Sequence, residues 1–213
     1  MLAQRCLVGS AATAKVLAYL QTTTTTTDAT TVTFSGVNVG TASASRRNII
    51  ATKAAGVATA SVSSMTVDGD AATELLDVLA SGGDTVAAMH IITNISGTSE
   101  DVVIVFAGLS SRTAIDTWEA TGLVSNTPID SGTSTATAPT DTLNVVNGGF
   151  VVAAAANNSG SATAWTNVTE RNDQTIEGAI LLSCGDAVTV SGTLAITATF
   201  TGGSLPVGVF ASF

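Results

Sequence analysis

From residue 31 to the C-terminus the chain is a series of short runs rich in Val, Ile, Thr and Phe, each cut off by Gly, Asp, Asn or Ser. Residues 31–39 place Val32, Phe34 and Gly36 against Thr33, Ser35 and Val37, a period of two that suits a half-buried strand. Residues 85–94 and 101–109 are the clearest strands. Further runs fall at 48–53, 57–67, 113–120, 143–146, 150–156, 162–168, 175–182, 187–200 and 207–213. Asp68-Gly69-Asp70 is a strong hairpin signal, because Asp and Gly tolerate the left-handed conformation that tight hairpins require. Ser81-Gly82-Gly83-Asp84 is a second turn. About a dozen short strands at this spacing predict an all-β chain. No segment of helical period is long enough to cross between parallel strands. The expected architecture is therefore an antiparallel β-sandwich, jelly-roll-like in its simplest form. Residues 71–79 suit a strand or a helix equally. The terminal run VGVFASF is apolar enough to belong in a sheet.

The first 30 residues read differently. Leu2, Cys6, Val16, Leu17 and Leu20, with Lys15 among them, outline one short amphipathic helix over 1–21, weakened by Gly9-Ser10. The next apolar stretch after Arg5 is broken by Gly9, Ser10, Thr13 and Lys15, so the segment reads as mature protein rather than a signal peptide. Thr22, Thr23, Thr24, Thr25, Thr26 and Thr27 follow in a row. They are β-branched and polar, stiff at χ1 and unable to drive a core of their own. The tract is expected to be an extended arm, or an edge strand held by a neighbour. This divides the chain into an N-terminal arm, residues 1–30, and a sandwich domain, residues 31–213.

Only 11% of the 213 residues are charged, against roughly 25% in ordinary soluble proteins. The surface must then be mostly Ser, Thr, Asn and Gly, which suits a subunit packed densely against other chains. Net charge is −9 and no basic block could neutralise a phosphate backbone, so a direct nucleic-acid ligand is not expected. No window approaches 18 uninterrupted apolar residues, so no membrane span is expected. Cys6 and Cys184 match no metal spacing. They read as two partly buried free thiols, with a disulfide as the alternative.

Catalytic chemistry has little to work with. His90 is the one histidine, and a Ser-His-Asp triad would have to use it. It sits in a strand, AAMHIIT, and no G-x-S-x-G stands in the chain. The acidic pairs Asp68/Asp70 and Glu100/Asp101 lie in turns without calcium-loop spacing, and no two carboxylates stand out as a glycosidase pair. Trp118 and Trp165 read as core residues, with sugar-stacking platforms as the sharper alternative. Asn94, Asn157 and Asn167 stand in N-x-S/T sequons. No enzyme, cofactor or metal is expected.

Seven segments carry a resemblance: FSGVNVGTASASRRNIIATKAAG (34–56), SVSSMTVDGDAATEL (61–75), GTSEDVVIVFAG (97–108), AIDTWEATGL (114–123), GGFVVAAAA (148–156), WTNVTER (165–171) and GVFASF (208–213). In this order they resemble a β-sandwich domain recurring in structural proteins of tailed bacteriophages and gene transfer agents, over residues 30–213. The resemblance implies a virion component on the outer surface of the particle, assembled in the host cytoplasm, with no catalytic residues. We expect a capsid-surface decoration, cement or head-spike protein. It would bind the major capsid protein, or tail or portal components, through its N-terminal arm, as a homo-oligomer such as a trimer. The alternative is a tail-fibre or adhesin domain recognising a host glycan. A polysaccharide hydrolase is the third class and lacks the residues. Thr22–27 are the expected partner-binding residues, with Arg46 and Arg47 as a basic pair that is either solvated or set against an acidic patch on an adjacent subunit.

Overall fold

The computed structural model describes residues 14–55, 61–93, 96–158, 162–177 and 180–213. Among these residues there is no helix, and every strand pairing is antiparallel. The all-β, antiparallel, sandwich-type fold expected from the sequence is the one adopted.

The first half holds nine strands: β1 (Val16–Thr25), β2 (Ala29–Asn38), β3 (Arg47–Ala55), β4 (Val62–Val67), β5 (Asp70–Ala71), β6 (Thr73–Leu79), β7 (Thr85–Thr93), β8 (Ser99–Ser110) and β9 (Arg112–Thr121). Their pairing is nested. β1 pairs β9, β2 pairs β8, β3 pairs β7, and β4 pairs β5. Alternate pairs lie in alternate sheets, in the orders β1-β9-β3-β7-β6 and β2-β8-β4-β5. That is a long hairpin rolled up on itself, the jelly-roll connectivity. The β4–β5 turn is the one the sequence announces: Asp68 (φ 52°) and Gly69 (φ 84°) are both left-handed. Residues 71–79 resolve mainly as strand, β6.

The second half holds β10 (Asp130–Ser134), β11 (Thr140–Asn157), β12 (Thr163–Thr166), β13 (Thr169–Ile176), β14 (Ile180–Phe200) and β15 (Val207–Ser212). They form a third sheet, ordered β10-β15-β11-β14-β12, with β13 also on β14. The terminal run thus does lie in a sheet. The run expected at 175–182 straddles a turn at Glu177 (φ 49°) and is shared by β13 and β14. Two very long strands, β11 and β14, slip register between Val145 and Gly149. A side chain at Gly149 would meet the Phe213 carbonyl oxygen at 2.4 Å. Only glycine lets the chain end pass there and exchange backbone hydrogen bonds with Phe150 (3.2 and 2.9 Å). Past this irregularity the sheet encloses a small core of its own: Leu143, Val145, Val151, Ala153, Ile196 and Phe210.

Stacking of the sheets departs from the simple two-layer expectation. The β1-β9-β3-β7-β6 sheet is central and buried on both faces. One face sends Ile49, Met89, Ile91 and Trp118 against Phe150, Val152, Leu182, Val209 and Phe213 of the third sheet. The other sends Ile50, Val86, Ala88 and Ile115 against Val32, Phe34, Met65 and Ile104 of the β2-β8-β4-β5 sheet. Such burial is worth ~1.5–3 kcal/mol for each large apolar side chain. It also explains why β3 and β7 read as near-continuous apolar runs.

The expected division at residue 30 is corrected. Residues 16–25 are a strand of the central sheet, not helix and not a detached arm. The strand pairing divides the chain after Thr121. Residues 1–13, including Cys6 and most of the expected helix, lie outside the described residues.

Candidate functional site

β1 and β2 are consecutive strands that form the outer edges of two stacked sheets. From Val16 to Asn38 the only charged side chain is Asp28, in the connection between them. The edge backbone is therefore presented without the lysines or prolines that usually blunt it, with β-bulges in both strands as the one protecting device. Thr26 and Thr27 are exposed in that connection, where the Thr27 backbone N–H donates to Thr25 Oγ1 (3.2 Å). On β2, Thr31 and Thr33 are exposed and stand opposite Val105 and Val103 of β8. Ser64 and Thr66 of β4 flank the same two valines. The rim therefore continues into an outer face of small β-branched and hydroxyl side chains, interrupted by the exposed Asp101 of β8, whose Oδ1 accepts from the Gly36 N–H of β2 (3.2 Å).

One side of the threonine tract is already taken within the chain. Thr22–Thr25 pair with Asp116, Ile115, Ala114 and Thr113 of β9 in the same chain. A β-bulge between Tyr19 and Gln21 re-aims the rest of β1. It brings Thr22, rather than Gln21, to Asp116, and the Thr22 hydroxyl donates to Asp116 Oδ1 (2.5 Å). The Tyr19 hydroxyl hydrogen-bonds Thr22 Oγ1 (2.6 Å), and its ring stacks edge-on to Trp118 at 5.6 Å.

Arg46 is also corrected. It is 1% exposed and cannot face an acidic patch on another subunit. Its guanidinium donates from Nη1 to the Gly40 carbonyl (3.0 Å) and from Nη2 to the Gly97 carbonyl (2.8 Å). It ties the β2–β3 connection to the loop before β8. Arg47, half-buried, donates to the Arg46 carbonyl (3.3 Å). The basic pair is an internal brace.

Behind the rim, on the face of the central sheet that meets the third sheet, runs a buried polar seam. Lys53 of β3 and Asp116 of β9 are in direct contact, both side chains fully buried. Taking two such charges out of water costs several kcal/mol each, and their attraction offsets this only with good geometry. Farther along, Asp186 accepts from Trp118 Nε1 (2.9 Å) and is gripped by Arg171 through Nε (2.9 Å) and Nη2 (2.8 Å). Cys184 is a free thiol in this seam. Burial first, then the charge of Asp116, push it well above the ordinary thiol range, so it is not a ready nucleophile. Sequence reading missed Lys53, Asp116, Arg171 and Asp186. The signal was there for the first two: a lone Lys in NIIATKAA and a lone Asp in TAIDTW, charges inside runs otherwise fit for burial.

The remaining candidates are scattered. His90 is 1% exposed on the opposite face of the central sheet, and burial lowers its pKa to about 4. Trp118 is core. Trp165 is half-buried on β12 and donates to Ser183 Oγ (2.7 Å). Asp68 and Asp70 are exposed hairpin residues. No group of three or more His, Cys, Asp or Glu able to hold a metal occurs among the described residues. Asn157 is buried and donates to the Gly202 carbonyl (3.0 Å). Asn167 turns the β12–β13 connection with φ 64°. Asn94 lies outside the described residues.

No protein-family model matches the chain, and no curated protein matches it.

Proposed function

We propose that the chain is a structural subunit of a tailed-phage particle, a head-surface decoration protein that seats its uncharged β1/β2 rim against neighbouring virion proteins or further copies of itself. The observation that carries this reading is the pair of adjacent edge strands whose own residues, from Val16 to Asn38, include one charge, Asp28. Such an edge is a template for a further strand. A soluble monomer would guard it; a subunit that spends its life in a lattice covers it. The jelly roll and the resemblance of residues 30–213 support the same reading. Of the two tryptophans that the glycan-binding alternative would use, Trp118 is sealed in the core and Trp165 is half-buried.

The test is co-sedimentation of the full chain with empty heads of the parent phage, beside the variants Thr23→Lys and Thr33→Lys, with solution mass measured for each. Wild-type binding that the lysine variants lose, while remaining folded, supports the reading. A wild-type chain that ignores heads and binds host cells overturns it in favour of a receptor-binding role.

A further inference from the structure

We propose that Lys53 and Asp116 become joined by an intramolecular isopeptide bond, a covalent staple between β3 and β9. The inference stands on the buried seam alone and does not depend on the virion reading.

Three observations converge. Asp116 pairs with Ala51, and Lys53 pairs with Ala114. Lysine and aspartate are thus diagonal neighbours on one face, within reach of a long side chain, and the residues opposite them are alanines too small to intervene. Both side chains are completely buried in a cluster formed by Ala51, Ala114, Trp118 and Cys184, so water neither competes for the amine nor returns to the product. Hydrogen bonding then distinguishes the two carboxylate oxygens. Oδ1 is held by the Thr22 hydroxyl. Apart from their mutual contact, neither Asp116 Oδ2 nor Lys53 Nζ has a hydrogen-bond partner among the described residues. The two atoms that condensation would involve are thus left to each other, with the Cys184 thiol against the same carboxylate.

The step balances without an oxidant or co-reactant. Proton transfer across the contact gives the uncharged pair, amine plus carboxylic acid. The lysine nitrogen lone pair attacks Asp116 Cγ, forming C–N. The C–Oδ2 bond breaks, and that oxygen leaves as one water with its own proton and one from the amine. Oδ1 becomes the amide carbonyl oxygen. Thr22 donates to it throughout and so stabilises the charge that builds there in the tetrahedral intermediate. Tyr19 fixes the Thr22 hydroxyl from behind. The product replaces two buried charges with one neutral amide, removing the desolvation cost of the pair.

The experiment is intact-mass spectrometry of the purified full chain, denatured after ageing in its folded state at neutral pH, followed by tryptic mapping. The expected result is a mass lower by one water and a branched peptide linking the segment that contains Lys53 to the segment that contains Asp116, with cleavage after Lys53 blocked. Thr22→Val keeps both reacting residues and should convert at least tenfold more slowly. Asp68-Gly69 could also lose one water by cyclising on its own backbone, so Lys53→Met is the control. Water loss that persists in Lys53→Met, or that maps to Asp68, overturns the proposal. So does a full, unmodified wild-type mass. The branched wild-type peptide decides the matter even if Lys53→Met does not fold.

Discussion

The central sheet shows two different faces built from the same strands. Toward the β2-β8-β4-β5 sheet, β3, β7 and β9 present Ile50, Ala88 and Ile115, with His90 as the ionisable exception. Toward the third sheet they present Lys53, Met89 and Asp116. One residue along a strand separates an apolar core from a buried charge pair. The apolar face can be trimmed gradually, because dispersion and transfer terms scale with the atoms removed. The polar face is all-or-none: before Lys53 and Asp116 are joined, their charges are tolerable together and very costly apart. The jelly roll is thus anchored softly on one side and rigidly on the other.

The sharpest way to break this contrast is Asp116→Ala. It leaves Lys53 buried without its partner and should cost about 3–5 kcal/mol in urea unfolding, whereas Lys53→Met/Asp116→Leu together should recover most of that loss. Next is pH. Burial lowers the His90 pKa from 6.5 to about 4, so the unfolded chain takes up the proton first. His90's contribution is full above about pH 6.5 and is lost as pH falls toward 4, about 3 kcal/mol in all. Asp77 runs the other way. Burial, then the charge of Glu74, raise its pKa from 3.8 to about 6, so its contribution is present at low pH and is lost as pH rises through that range. Wild-type stability should therefore vary little between pH 4 and 6.5. His90→Leu should make it fall with rising pH, and Asp77→Asn should make it rise, read from thermal midpoints across the window. Arg171→Ala removes a partly exposed grip on Asp186 while Trp118 still donates; about 1–2 kcal/mol should be lost. Smallest is Ile50→Val on the apolar face, at about 1 kcal/mol. A loss at Ile50 matching that at Asp116 would abolish the contrast.

Much of the fold was legible because β-structure announces itself locally. The alternation at Val32 and Phe34 and the left-handed Asp68-Gly69 pair needed no long-range knowledge. The third layer was not legible. It depends on a slip in register around Gly149 that lets two long strands fold over, and a pair of glycines gives no hint of direction. The threonine tract misled for a related reason. Its residues look unable to build a core, but Thr22 is useful as a hydroxyl beside Asp116, a residue ninety-four positions away. Arg46 misled because a basic pair beside a turn normally faces water, and here the carbonyls of Gly40 and Gly97 surround it. In both cases the sequence shows the donor and hides the acceptor.

The nested pairing also sets a timetable. β1 is the first described strand to leave the ribosome, but its partner β9 is complete only at Thr121. At about 5–20 residues per second, synthesis leaves the β1 edge without that partner for roughly 5–20 s. An apolar edge exposed that long would recruit neighbouring nascent chains. Threonine keeps the strand extended yet wet, and Thr23→Val/Thr25→Val should leave the finished protein nearly as stable while lowering its soluble yield on synthesis. The tract that looks like an arm reaching outward is, in time rather than in space, a strand built to wait.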